Sequence, residues 1–561
     1  MPEIVQRHID QAAYARLIQA GIESRLARLY AARGITHPAE LQYEFSALLP
    51  PETLTHADHA ARLLADAIAA KQKLLIIADY DADGATACAV AMRALSAMGA
   101  VVDFLIPNRF EYGYGLTPEI VQLAAQQHPD WLITVDNGIA SVEGVVEANR
   151  LGMRVLITDH HLPGEHLPEA AGIVNPNQPG CTFASKNLAG VGVIFYLMLA
   201  LRAELRKRNA FALQPEPNLA SLLDLVALGT VADVVRLDRN NRILVEQGLA
   251  RIRAGRASPG IAALLQIAGR DPARVSSSDL GFFVGPRLNA AGRLTDMSLG
   301  IACLLAKDAS TAQRLALQLD QLNRERREIE SAMQQDAVVQ LEEVDVTGCF
   351  SICLFDSAWH QGVIGILASR LREKYHRPAI VFAPASQGEI KGSGRSINAL
   401  HLRDALDLVT KRYPGLISRF GGHAMAAGLS LPEAALPAFI QAFEDTVRQQ
   451  LSPSDLHERI ETDGELSPLE INLELAHQLE RHVWGQAFPP PAFSGRFRVL
   501  SQRVVGEKHL KLQVAIGEAR FEAMRFGSPD LLPENIDTVF RLTSNEFRGI
   551  ESLQLVLEQV A

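Results

Sequence analysis

KLLIIADYDADGATACAV, residues 73–90, runs a short apolar stretch straight into three aspartates at alternate positions, Asp79, Asp81 and Asp83. An apolar run of this length, bounded by turn formers, reads as a fully buried strand, and the small residues after Gly84 read as a helix lying on it. The same alternation of strand, loop and helix continues through VVDFLIP, WLITVD, MRVLITD and AGIVNP to about residue 175. Short apolar strands alternating with helices predict an α/β domain with a parallel sheet covered on both faces.

In an open sheet of this kind, ligands collect beyond the carboxyl ends of the strands. Here LLIIA ends in Asp79, Asp81 and Asp83, WLITV in Asp136-Asn137-Gly138, and RVLIT in Asp159-His160-His161. So many carboxylates at one edge call for divalent cations to neutralise them. Oxygen donors with imidazole and no thiolate suit Mn²⁺ or Mg²⁺ better than a structural zinc. Two such ions about 3.5–4 Å apart serve in-line displacement at phosphorus, so hydrolysis of a phosphoester or phosphoanhydride is the expected chemistry. The triplet also opens like an EF-hand calcium loop, but the twelfth position is Val90 rather than Glu and a strand precedes it. Taken singly, Asn137-Gly138 reads as a turn and Asp79 as a helix cap.

Composition bounds the rest. The 561 residues exceed one ordinary core and predict about three or four domains. Apolar residues at 48% and charged residues at 21% are those of a globular protein, and no uninterrupted apolar run reaches the ~18 residues of a membrane span. The start MPEIVQRHIDQ lacks a signal-peptide layout, and with five cysteines in no metal-ligand spacing this predicts a reducing cytoplasm and no membrane. Cys349 and Cys353 fall on one face of a predicted strand, as small buried residues do. The net charge of −10 does not advertise a nucleic-acid binder, although a groove can be basic on an acidic protein.

Residues 185 to about 270 read as mainly helical, broken at QPEPN (214–218), and 308–344 as one long helix without Gly or Pro that joins two lobes. CFSICLF and PAIVFAP, with GVIGILASRLREKY between them, predict a smaller α/β lobe ending near 450. From about 457, alternating segments such as GRFRVLSQRVV and HLKLQVAI predict a small antiparallel barrel.

Asp-His-His after a strand, preceded by Asp-x-Asp and an isolated Asp-Asn-Gly, resembles the DHH phosphoesterase superfamily. The whole chain is similar to the RecJ-type single-strand-specific 5′ to 3′ DNA exonucleases within it, with matches spread from about residue 73 to 428. Further matching segments are PNRFEYGYGL (107–116), ALGTVADVV (227–235), GPRLNAAGR (285–293), WHQGVIGILASR (359–370), SGRS (393–396) and GGHAMAAG (421–428). The last three fall in the DHH-associated lobe, called DHHA1. The resemblance implies a helical segment at 1–60, a DHH catalytic domain at 61–270, a connecting segment with the long helix at 271–345, DHHA1 at 346–455 and an OB-like DNA-binding domain at 456–561.

It further implies that Asp79, Asp81, Asp136, His160 and Asp233 ligate two divalent cations, with Asp136 bridging. Asp83 binds metal through water or supports the loop, His161 faces the scissile phosphate or orients its neighbours, and Asp159 braces the loop. Arg109, Ser393 and Arg395 would form a pocket for a terminal 5′-phosphate, and Arg287, Arg293, His360, Arg370 and His423 would contact the strand beyond it. SGRS and GGHAMAAG make physical sense here, since glycines let backbone amides approach an anion. Each basic residue has an alternative as a surface ion pair or cap. Arg324, Arg326 and Arg327 of the long helix either flank the DNA or form a salt-bridged face. In the tail, Phe493, Phe497, Phe521, Phe526, Phe540 and Phe547 divide between core and stacking platforms, with Lys508 and Lys511 among them.

The implied activity is release of 5′-mononucleotides from single-stranded DNA in recombination and repair, through a channel between lobes too narrow for a duplex. The partners implied are a single strand with a 5′ end, a helicase and a single-strand-binding protein, and the chain is expected to work as a monomer. Two rivals remain. One is a hydrolase of pyrophosphate, cyclic dinucleotides or very short oligonucleotides; the other is a catalytically dead scaffold, which the intact ligand set opposes.

Overall fold

The computed structural model describes residues 3–106, 112, 115–213, 215–342, 348–385, 388–547 and 549–560. The chain divides into two compact units, one formed by Gln6–Asn323 with Thr462–Val560, the other centred on Arg324–Glu461. No helix among the described residues is long and apolar enough to cross a membrane.

The first unit is built on the expected parallel sheet. Its five strands lie in the order Val101–Leu105, Lys73–Ala78, Trp131–Val135, Arg154–Thr158, Gly172–Val174, all pairs parallel. The central strands are buried almost throughout, which explains why they read as continuous apolar runs rather than alternating ones. The helices Ala82–Ala97 and Gly190–Lys207 pack together with Leu223–Ala232 in one large apolar core.

The tail closes into a five-stranded barrel, in the order Phe493–Val505, His509–Ile516, Ala519–Arg525, Ile550–Val560, Asn535–Phe547. One pairing departs from the expected antiparallel pattern: Ala519–Arg525 runs parallel to Ile550–Val560 through Ala523–Leu555 and Met524–Val556. Alternation marks a strand's two faces but not the direction of its neighbour, so the sequence pattern does not reveal this closure.

Residues near the N-terminus do more than add helices. Arg33, on the stretch after the helix Ser24–Ala31, makes a bidentate ion pair with Asp463 at 2.8 and 2.9 Å, both side chains essentially excluded from solvent. It also donates to the carbonyls of Leu29 and Pro489 and lies 5.0 Å over the Trp484 ring. Tyr30, Trp484 and Phe488 stack beside it. The start of the chain thus ties the segment leading into the barrel to the same unit as the parallel sheet.

The second unit holds a mixed sheet in the order Arg419–Gly422, Ala426–Pro432, Glu389–Arg395, Ala379–Pro384, Ile352–Phe355. Only the last pair is parallel, and the helix Ile364–Tyr375 connects those two strands. The long helix, Ala309–Glu342, carries the chain from one unit into the other as one element.

Candidate metal centre

Strand register aligns the acidic residues. Ala78 pairs with Val135, Val135 with Thr158, and Thr158 with Val174, so the next residues, Asp79, Asp136, Asp159 and Asn175, form one row along the sheet edge. Backbone bonds extend the ladder one step into this row: Asp79 N–H donates to Val135 O (3.3 Å), Asp136 N–H to Thr158 O (3.0 Å) and Asp159 N–H to Val174 O (3.1 Å).

Each acid is then fixed separately. Asp81 caps the helix Ala82–Ala97, accepting from the N–H groups of Asp83 and Gly84 at 2.9 and 3.0 Å. Asp83, fully buried, accepts from Gly190 N–H (2.7 Å) and Val191 N–H (2.9 Å) at the start of the helix Gly190–Lys207. Its two oxygens join two helices, which favours the loop-supporting role. Asp136 is 2% exposed and has φ of 63°, a left-handed conformation that a non-glycine residue holds only when its surroundings impose it. Asn137 supplies part of that constraint by donating to the Ile77 and Val135 carbonyls. Gly190 supplies another, since a Cβ there would lie 2.5 Å from Asp136 Oδ1.

The histidines come from the next strand end. His160 Nε2 lies 3.1 Å from Asp136 Oδ1 and 3.5 Å from Asp233 Oδ2. Asp233 arrives from a different direction, at the C-terminus of the helix Leu223–Ala232, and its buried Oδ2 makes no hydrogen bond among the described residues. Asp159 accepts from the N–H groups of Ile139, His160 and His161 and from His161 Nδ1 at 2.7 Å; it braces the loop, as expected.

Burial and the neighbouring carboxylates push Asp136 and Asp233 well above the ordinary carboxylate range. Burial and Asp81 push Asp83 up to about 7. Burial works against protonation of His161, but its bond to Asp159 prevails and raises it to about 9. Donor atoms of Asp79, Asp81 and Asp136, of Asp83, His160 and Asp233, and of Asp136, His160 and His161 form three groups, each with its atoms within 4.8 Å of one another. Convergent carboxylate oxygens and imidazole nitrogens, with mutual repulsion and an unbonded buried oxygen on Asp233, fit divalent cations.

Three asparagines escaped the sequence reading. Asn175 donates to the His161 carbonyl (3.0 Å), Asn177 to the His160 carbonyl (2.6 Å), and Asn289 accepts from Ala82 N–H (2.8 Å). Asn175 could have been found by treating the end of AGIVN as a fourth strand end, since it obeys the rule that nominated Asp79 and Asp136. Asn289 lies within the quoted segment GPRLNAAGR, but its bond to the start of the helix Ala82–Ala97 is not written there.

The basic residues fall in both units. Arg287 is 8% exposed, held by Asp320 at 2.9 Å and donating to Phe283 O at 2.6 Å. These bonds brace its helix, Gly285–Leu294, and leave little of its charge open to solvent. Arg293, half-buried, lies in the last turn of the same helix. In the second unit, Arg395 and Ser393 lie against the helix Ile364–Tyr375, where a Cβ on Gly365 would be 3.1 Å from Arg395 Nη2 and 2.9 Å from Ser393 Oγ. Burial and the nearby Arg372 weaken the hold of Arg395 on its proton, and its Nη1 donates to Ser393 Oγ (3.2 Å) and Gly394 O (2.8 Å). His360 accepts from Gly362 N–H through Nδ1, and His423 is exposed. Arg370 is paired with Glu330 and Glu373, and Arg326 with Glu330. Arg109 lies outside the described residues.

In the barrel, Phe493, Phe497 and Phe540 are core, Phe521 is half-buried and Phe526 is 54% exposed against His509. Lys511 pairs with Glu522 and Lys508 is exposed. The side chain of Phe547 lies outside the described residues.

Comparison with known proteins finds three family models along the chain: "DHH family, N-terminal domain" over residues 73–230, "DHHA1 domain" over 345–449 and "RecJ OB domain" over 462–559. The single-stranded-DNA-specific exonuclease RecJ of Dickeya dadantii is 51% identical over 95% of each chain. That of Escherichia coli is 48% identical over 100% of this chain and 99% of its own. Among solved structures, RecJ of Thermus thermophilus in complex with Mn²⁺ matches at a TM-score of 0.82 and 30% identity, covering 100% of this chain and 79% of that one. Its complex with Mg²⁺ matches at 0.76.

Proposed function

This chain belongs to the RecJ family, and from that premise we propose that it releases 5′-mononucleotides from the free 5′ end of single-stranded DNA by metal-dependent hydrolysis, in recombination and repair. The observation that carries the reading is the row of Asp79, Asp136, Asp159 and Asn175 on one sheet edge, joined by His160 and Asp233.

In this reading Asp79, Asp81, Asp136, His160 and Asp233 would hold two divalent cations, Mn²⁺ or Mg²⁺. When bound, the cations supply the charge that activates water and stabilises the leaving 3′-oxygen. The chain's own residues set the geometry: Asp83 and Asp159 hold the loops, Asn175 and Asn177 hold the two histidine carbonyls, and His161 faces the scissile phosphate. Ser393, Arg395 and Arg109 take the terminal 5′-phosphate, and Arg293, His360, Arg370 and His423 follow the strand. The division at 60, 270, 345 and 455 assigns the DHH, connecting, DHHA1 and OB-like parts, the last holding DNA. A helicase and a single-strand-binding protein would feed it strands, and we place it in the cytoplasm as a monomer.

The test is digestion of end-labelled single strands with Mn²⁺, carrying either a 5′-phosphate or a blocked 5′ end, beside a duplex. Mononucleotides released only from the open 5′ end support the reading. Hydrolysis of pyrophosphate or very short oligonucleotides, with long strands untouched, overturns it.

A further inference from the structure

The helix Gly285–Leu294 is entered through a single π turn, Leu280–Val284, a widened turn type that accumulates at functional sites. This turn packs on the end of the helix that delivers Asp233: a Cβ on Gly281 would come within 3.1 Å of Val231 Cγ1, and one on Gly285 within 3.2 Å of Ala232 Cβ. The turn is braced from several sides. Leu280 and Val284 are buried, Arg270 lies 3.5 Å over the Phe283 ring, and Arg287, itself held by Asp320, bonds the Phe283 carbonyl.

What this bracing leaves outside is Phe282, 72% exposed. Next to Asp233 in the chain, Val234 is 61% exposed with φ of 60°. A β-branched residue held left-handed is strained, and such strain persists where function uses it. Neither side chain contributes to the core: Phe282 follows Gly281, which packs against the helix that ends at Asp233, and Val234 follows Asp233 itself.

We propose that Phe282 is a strand-binding residue on which a base of the single strand stacks, with Val234 extending the apolar surface, so that a phosphate is presented to the acidic centre. This inference rests on the single-strand exonuclease reading. Stacking on an aromatic ring suits a nuclease that must accept any sequence, because every base has a π face. It also disfavours a duplex, whose bases are already stacked on one another.

The test is strand affinity of the full chain in EDTA, where binding is read without hydrolysis, for wild type, Phe282→Ala and Phe282→Trp. The probes are an intact oligodeoxynucleotide and a set carrying one abasic residue at each successive position from the 5′ end. We expect Phe282→Ala to raise Kd about ten-fold on the intact strand and Phe282→Trp to restore it. The difference between wild type and Phe282→Ala should vanish when one particular position is abasic. An unchanged Kd, or a defect equal at every abasic position, overturns the inference. A wild type that binds strands but fails to digest them with Mn²⁺ overturns the exonuclease reading instead, so the two failures are told apart. Thermal unfolding checks the fold of Phe282→Ala, which the exposure of the ring predicts to match wild type.

Discussion

His160 Nε2 lies 3.1 Å from Asp136 Oδ1, although the two residues end different strands. Their proximity follows from parallel register and joins an imidazole from one strand end to a left-handed carboxylate from its neighbour. Asp136→Ala is therefore expected to reduce hydrolysis by on the order of 10³-fold or more while leaving strand binding largely intact. Digestion rates and a filter-binding or fluorescence Kd on the same preparation check this. Parallel loss of both would refute the separation of centre and strand-holding surface.

Removing metal should reverse the sign of a pH effect on stability. In the metal-free protein Asp83 is raised from 3.8 to about 7, so between those values the folded chain keeps a proton that the unfolded chain has lost. Its contribution to stability is therefore present at about pH 4 and lost as pH rises towards 7. In EDTA, the melting temperature is expected to fall across that window. With saturating Mn²⁺ it should rise, because cation binding requires deprotonated carboxylates and stabilises the folded state by mass action. Differential scanning calorimetry at fixed ionic strength measures both slopes.

Asn177→Ala frees the His160 carbonyl, and Asn175→Ala frees that of His161. Outer supports of this kind are worth about 10–100-fold in metal affinity. Titration with Mn²⁺, followed by thermal shift, should show that loss for Asn177→Ala with little change in metal-free stability. Asn175 is fully buried, and its loss should also cost about 1–3 kcal/mol in EDTA.

Breaking the Arg33–Asp463 pair leaves a buried charge without its partner. Asp463→Ala is expected to cost about 3–5 kcal/mol and to loosen the segment leading into the barrel. Chemical denaturation gives the energy. Limited proteolysis should show earlier cutting near residues 463–492; an unchanged digestion pattern would mean that the stack of Tyr30, Trp484 and Phe488 suffices.

Arg395 and Arg370 should separate in their effects on strand binding. Arg370 follows the strand in the proposed reading, but Glu330 and Glu373 already neutralise part of its charge, so Arg370→Ala is expected to raise Kd only about three-fold on either end chemistry. Arg395→Ala should remove most of the preference for a 5′-phosphate over a 5′-hydroxyl, and Arg395→Lys should restore only part, because a point charge lacks the planar fork. Paired Kd measurements on the two end chemistries decide it.

The strands, the long helix and the acidic strand ends were legible because each is written in local pattern: apolar runs, an uninterrupted helical stretch, and carboxylates where a buried strand stops. Asp233 was legible only through family resemblance, since a carboxylate ending a helix looks like any cap. The Asp320 partner of Arg287 was not legible, because an arginine beside glycines reads the same whether it meets a phosphate or a carboxylate.

By itself, the sequence determined the parallel sheet, the alternation of its helices, the choice of oxygen and imidazole donors, and the presence of a β tail. Those follow from burial period and ligand chemistry, which residues carry individually. Only the tertiary structure decided which acids share one row, that Asp83 spends both oxygens on a helix start, that one barrel pairing is parallel, and that Arg33 meets Asp463. These depend on register and on contacts between residues far apart in the chain, and a local pattern holds no record of the partner across such a distance.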